Sequence, residues 1–422
     1  MMDYTSLSKE EIERLLSEQN RVLKEIGKKK ISLDISRGKP SPVQLDTVMP
    51  LLDVLSSDTE FPKPDYRNYG NLEGIPELRA LFAQILGVDK SEVIIGGNSS
   101  LNMMYDTIQR AMQFGICGGK PWFGRKIKFL TPVPGYDRHF GICQHFGIEM
   151  INVPMTPTGP NMDLVEQLVA GDDDIKGIWC VPKYQNPTGI TFSEETVRRL
   201  ATMKCASDFR IFWDNAYVVH DLYEEGDTLA NIMSIAKEAG TQDRIYQFTS
   251  TSKITFAGAG VACLAASENN IKDIVSHMKY QTIGANKINQ YAHLLYLKSP
   301  EHVKELMAAH AAIIRPKFDK FMEVMGEAFG DDSGIADWTH PKGGYFISLN
   351  VLAGCAKEVG RLCKSVGLTI TNVGDTYPYG VDDKDSNIRI APTFTSDEDL
   401  EAALQILVCC IKVACLTKLS NK

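Results

Sequence analysis

The sequence lacks several signatures that would assign its chemistry at once. Its 10 cysteines form no Cys-x-x-Cys pair, so neither a zinc ribbon nor a dithiol redox motif is encoded. Scattered thiols of this kind are expected to stay reduced and buried, as in a cytoplasmic protein. No His-Glu-x-x-His occurs, no metal is expected, and His139 and His145 are expected to be satisfied polar histidines. Gly-x-x-x-x-Gly-Lys-[Ser/Thr] is missing, which excludes a nucleotide P-loop, and Gly258-Ala259-Gly260 lacks the third glycine of a dinucleotide turn. Basic excess is missing as well: the formal net charge is −8, which argues against a nucleic-acid partner. The most apolar window, Ile406 to Leu416, is broken by Lys412 and is too short to span a bilayer. The start, Met1-Met2-Asp3-Tyr4-Thr5, lacks the apolar core of a signal peptide, so no membrane association is expected.

What is present is enough apolar residue, 44% of the 422 residues, for a large core, and a length that calls for two domains. Ser8 and Glu11 make a capping box ahead of the helical apolar pattern Ile12, Leu15, Leu16 and Val22. From about residue 90 to 270, short apolar runs alternate with helical patterns. That alternation predicts an α/β fold: a mainly parallel sheet covered by helices on both faces. A long helix is expected over 302–324, with Pro316 as a kink, and a capped amphipathic helix after Ser396. The expected division is 1–48 as an N-terminal arm joining the small domain, 49–300 as the large domain, and 301–422 as a small α+β domain.

Chemistry gathers at the predicted strand ends. Lys253 sits in Ser250-Thr251-Ser252-Lys253, with the Gly258-Ala259-Gly260 turn behind it. A lysine in a water-poor turn loses its proton more readily and becomes an amine nucleophile able to form a Schiff base; a solvated lysine in a surface turn is the alternative. Asp214 ends the strand Arg210-Ile211-Phe212-Trp213, where an aspartate is either a cap or a ligand group. The strand Ile178-Trp179-Cys180-Val181 delivers Asn186-Pro187-Thr188-Gly189 to the edge where parallel sheets bind ligands. Gly97-Asn98-Ser99 opens a helix carrying Met103, Met104, Ile108 and Met112 on one face. Its free N–H groups suit a phosphate, although a plain helix cap by Asn98 or Ser99 satisfies the same pattern.

The order Asn186-Pro187-Thr188-Gly189, Asp214-Asn215-Ala216-Tyr217 and Ser250-Thr251-Ser252-Lys253 resembles the class I aminotransferases. These are fold type I enzymes that use pyridoxal phosphate, and the resemblance runs from about Ser36 to the C-terminal helix. It implies that Lys253 carries the cofactor as a Schiff base and moves the substrate proton, and that Asp214 pairs with the pyridine nitrogen. Asn186 and Tyr217 would meet the phenolic oxygen, Tyr136 would stack on the ring, and Gly97, Asn98, Ser99, Ser250 and Ser252 would hold the phosphate. The resemblance further implies Arg389 as a clamp on the substrate α-carboxylate, with Gly38 and Arg37 over the pocket. Tyr69 would reach the phosphate of a neighbouring subunit, which makes the active unit a homodimer with shared sites. One departure is plain: the arginine that many relatives place after the lysine is missing from Gly258-Ala259-Gly260-Val261. Ser36-Arg37-Gly38-Lys39-Pro40 and Thr376-Tyr377-Pro378-Tyr379-Gly380 are similar to a bacterial aspartate aminotransferase-like branch, which implies aspartate and 2-oxoglutarate as substrates. A lyase, or an aromatic or alanine transaminase, would share the same cofactor motifs. A ligand-sensing regulator is disfavoured, since the stretch ahead of Ser36 is too short for a winged helix.

Overall fold

The computed structural model describes residues 2–330 and 332–421; Met1 and Lys422, the outer ends of the expected domains, lie outside the described residues, as does Asp331. Eight strands form the central sheet: β1 (Val93–Ile95), β2 (Lys128–Val133), β3 (Glu149–Thr156), β4 (Gly159–Pro160), β5 (Ile175–Cys180), β6 (Arg210–Asp214), β7 (Ile245–Ser250) and β8 (Ala262–Ala266). Their spatial order is β1-β8-β7-β6-β5-β2-β3-β4. The run β7-β6-β5-β2-β3 is parallel throughout, while β8 lies antiparallel to both β1 and β7. Every residue of β5, β6 and β7 is buried, as expected for strands covered on both faces.

Alternation along the strands separates two cores. Phe129, Trp179, Phe212 and Phe248 pack on one face beneath Met104 and Ile108 of α2 (Ser100–Phe114) and Phe140 and Ile142 of α3 (Asp137–His145). Leu130, Ile178, Ile211 and Trp213 point the other way, as a period of two requires.

A further core joins the two ends of the chain. Ile12 of α1 (Lys9–Gly27) and Ile35 pack with the apolar residues of α4 (Pro300–Phe329), α5 (Ala356–Ser365) and α6 (Asp397–Ser420). The capping box on α1 is present, with Glu11 N donating to Ser8 Oγ and Ser8 N to Glu11. α4 exceeds the expected 302–324 and runs on through Pro316 as one helix. α6 also exceeds the apolar window seen in the sequence. By length and composition it could cross a membrane, yet 72% of its most apolar stretch is buried inside the fold, where it forms the centre of this third core. A three-stranded antiparallel sheet, β9 (Ala336–Trp338), β10 (Ile347–Val351) and β11 (Asn387–Ile390), completes this unit. Leu33–Asp34 pairs in parallel with Leu368–Thr369, which ties the arm to this unit and leaves Gly38 on the cavity described below.

Candidate active site

The parallel order β7-β6-β5 sets the three motifs side by side at the carboxyl edge of the sheet, where an open α/β sheet binds ligands. A cavity of 190 Å³ lies there. Asn186, Asp214, Tyr217, Ser250, Ser252 and Lys253 all line it, and Tyr136, Ser99 and Gly38 complete the set expected from the sequence.

Asp214 shares the parity of Phe212, so its side chain emerges on the face covered by α2 and α3. Its Oδ2 meets His139 Nε2 at 2.9 Å, and its Oδ1 is buried with no hydrogen-bond partner. A buried carboxylate oxygen without a donor is costly and calls for an explanation. His139 is held in turn by stacking on Trp179, with centroids 4.4 Å apart and planes 8° from parallel. From its sequence context alone His139 has only a general polar role. The structure ties it to Asp214 across 75 residues, a link with no local sequence signal.

Lys253 is half-buried, its amine 5.3 Å from the Tyr217 ring centroid and 5.9 Å from that of Tyr345. Burial pushes its pKa below the ordinary lysine value, and the nearby Asp214 charge opposes part of that shift. Burial drives the Tyr217 hydroxyl well above the usual phenol range, so it stays a proton donor at neutral pH. The Tyr136 hydroxyl is raised to about 12 by burial and by the Asp214 and Asp137 carboxylates.

At the other end of the cavity α2 begins. Its cap position falls on Ser99, whose side chain makes no capping hydrogen bond, and Ser99 and Ser100 both face the cavity. Ser250 Oγ donates to Ser252 Oγ at 3.0 Å, and Ser252 Oγ reaches the Asn98 carbonyl at 3.5 Å. Four hydroxyls, those of Ser99, Ser100, Ser250 and Ser252, thus gather at a helix N-terminus. Ser100 was not singled out from the sequence, although its place at the first helical position was the available signal. Gly97 and Asn98 line a neighbouring 410 Å³ cavity instead, where Asn98 Nδ2 donates to the Gly258 carbonyl at 3.4 Å.

Arg389 extends from β11 behind this cavity. Its Nη1 pairs with Asp137 Oδ1 at 3.0 Å and reaches Asn186 Oδ1 at 3.4 Å, and the guanidinium lies 4.9 Å from the Phe346 ring centroid. Gly38 is required by close approach: a Cβ there would come within 2.1 Å of the Phe346 ring. The structure does not bring Arg37 into the group; its side chain is 66% exposed and pairs with Asp34 at 3.4 Å. Leu33–Asp34 is held to Leu368–Thr369, and the side chain of Arg37 turns back along this arm to the nearest carboxylate. Tyr69 is 80% exposed, away from the Lys253 cavity of its own chain.

Comparison with known proteins places this geometry. The sequence profile of the family described as aspartate amino-transferase matches residues 7–422. An aspartate aminotransferase of Corynebacterium glutamicum is 42% identical over 407 residues, covering 95% of this chain and 94% of that protein. The crystal structure of an aspartate transaminase from Corynebacterium glutamicum superposes with a TM-score of 0.95 at 41% identity, over 98% of this chain and 99% of the other. An α-aminoadipate aminotransferase from Thermus thermophilus, complexed with N-(5'-phosphopyridoxyl)-L-leucine, shares the fold with a TM-score of 0.75 at 20% identity over 95% of each chain. The α/β architecture is that of the fold type I aminotransferases, and the chain belongs to the aspartate aminotransferase family.

Proposed function

We propose that this aminotransferase uses pyridoxal phosphate held through Lys253 to exchange amino groups between aspartate and 2-oxoglutarate. One observation carries the reading: a lysine amine depressed by burial shares a cavity with a buried aspartate oxygen that has no partner. That oxygen suits a protonated pyridine nitrogen, and the Ser99, Ser250 and Ser252 hydroxyls at the start of α2 suit a phosphate without the missing arginine. Pyridoxal phosphate, when bound, supplies an aldehyde for Lys253 and an electron-poor ring that accepts the electrons of the substrate's α C–H bond.

The remaining work falls to the chain. Lys253 Nζ, whose hold on its proton burial weakens, would be the amine that carries the cofactor and, once freed, would take the proton from the substrate's α carbon. Asp214, fixed by His139, would offer its unpartnered Oδ1 to the pyridine nitrogen. Tyr217 and Asn186 offer a hydroxyl and an amide to the phenolic oxygen, and Tyr136 offers its ring face. The Arg389 guanidinium offers the planar fork that binds an α-carboxylate. Phe346 and Tyr345 exclude water beside the amine. In this reading Tyr69 belongs to the site of a second copy, the active unit is a cytoplasmic homodimer, and the domains divide at 48/49 and 300/301.

The purified protein is expected to show a yellow absorbance band that aspartate removes and 2-oxoglutarate restores, and Lys253→Ala is expected to lack it. A band that responds to alanine or an aromatic amino acid and ignores aspartate would refute the substrate assignment and keep the cofactor.

A further inference from the structure

Arg389 is already partnered. Its side chain is 10% exposed, and its shortest contact is the ion pair with Asp137 at 3.0 Å. Its other bonds are long: 3.4 Å from Nη1 to Asn186 Oδ1 and 3.4 Å from Nε to Thr371 Oγ1. A guanidinium this buried is costly without a counter-charge, and Asp137 supplies one from the first turn of α3, next to Tyr136. A substrate carboxylate brings the same charge to the same fork. Bidentate binding needs two neighbouring N–H groups, and Nη1 is occupied.

We infer that Asp137 is an internal competitor for the substrate carboxylate, neutralising Arg389 in the resting site and yielding the guanidinium when an amino acid binds. This deepens the proposed function and rests on Arg389 as the carboxylate clamp. The surroundings give Asp137 somewhere to go. Its Oδ2 lies 3.8 Å from Nε of Arg138, a side chain 65% exposed, so a turn of the carboxylate exchanges a buried cation for a solvated one. Asp375 is the other acid of this cluster. Burial, and after it the Asp137 charge, raise its pKa, while the Asn372 hydrogen bond, Arg389 and Arg138 oppose the rise, so the two acids repel one another beside a shared pair of cations. An arriving carboxylate adds to that crowding, and displacing Asp137 relieves it. The competitor thus lowers the affinity of every carboxylate substrate while keeping the empty site stable.

The test is binding of succinate, an unreactive dicarboxylate, to the cofactor-loaded protein by titration calorimetry. Asp137→Asn keeps the side chain's shape and removes its charge, and it is expected to tighten succinate about tenfold. Asp137→Glu is expected to bind it as the parent does. Asp137→Ser gives a second neutral replacement, and whichever neutral variant melts with the parent must show the tightening. Unchanged or weaker binding in that variant overturns the inference. Arg389→Lys separates the two layers: succinate binding that survives this change removes Arg389 as the clamp, whereas its loss beside an unaltered Asp137→Asn removes only the competitor.

Discussion

Lys253 shows how one residue trades stability for chemistry. Its folded pKa lies below its unfolded value, so below the folded pKa both states hold the proton and the folded chain bears the cost of a charged amine in a desolvated place. The resulting cost is complete at low pH, diminishes as pH rises through the folded value, and is gone above the unfolded value of about 10.4. Lys253→Met is therefore expected to make the cofactor-free protein more resistant to urea at pH 7, with the advantage vanishing near pH 10.5. An advantage that is constant across that range would show that the amine is not depressed. At this scale the sequence was legible where chemistry is local. Asn186, Asp214 and Ser250-Thr251-Ser252-Lys253 each follow a buried strand, and strand ends converge by the rules of parallel sheets. It was silent on His139 with Asp214 and on Asp137 with Arg389, because 75 and 252 residues separate these partners and no period links them. Arg37 shows a related limit: a motif places its backbone near the pocket, but leaves an exposed side chain free to pair with Asp34.

Among the elements, the turn at Gly343-Gly344 couples the C-terminal unit to the site. A Cβ on Gly343 would lie 2.1 Å from the Tyr184 ring and 2.4 Å from the His220 carbonyl, and Gly344 has φ +79°. Tyr184 itself has φ +49° and donates its hydroxyl hydrogen to Asp221, while Gly344 N donates to the His220 carbonyl at 3.0 Å. This packing presses Tyr345 and Phe346 against the cavity. Gly343→Ala is expected to cost about 1–3 kcal/mol, the usual range for overpacking, and to raise KM more than it lowers kcat. Parent stability in urea together with parent kinetics would mean that the turn is not tight. The helices were legible because caps are local: Ser8 and Ser396 each accept a backbone N–H where the sequence placed them. Lengths were harder. α6 is apolar on nearly all sides, and only its burial beneath α1, α4 and α5 distinguishes a core helix from a spanning one.

Taken whole, the molecule is a sheet with two cores and a second unit built from both ends of the chain, and the cavity lies where they meet. Gly38 comes from the arm, Asp214 from the sheet, and Phe346 from the turn before β10. Alternation of strands and helices made the sheet legible, whereas the docking of the arm on the C-terminal unit depends on a pairing between Leu33–Asp34 and Leu368–Thr369 that no periodicity announces. The central claim is that this convergence serves one amine. Two lysines lie near these strand ends: the half-buried Lys253 on the cavity, and the buried Lys183, which is paired with Asp221 at 2.8 Å. The most direct measurement is borohydride reduction of the protein loaded with pyridoxal phosphate, followed by peptide mass mapping. A single phosphopyridoxyl group, on Lys253, is expected. A label on Lys183 or another lysine, or none on Lys253, would contradict it.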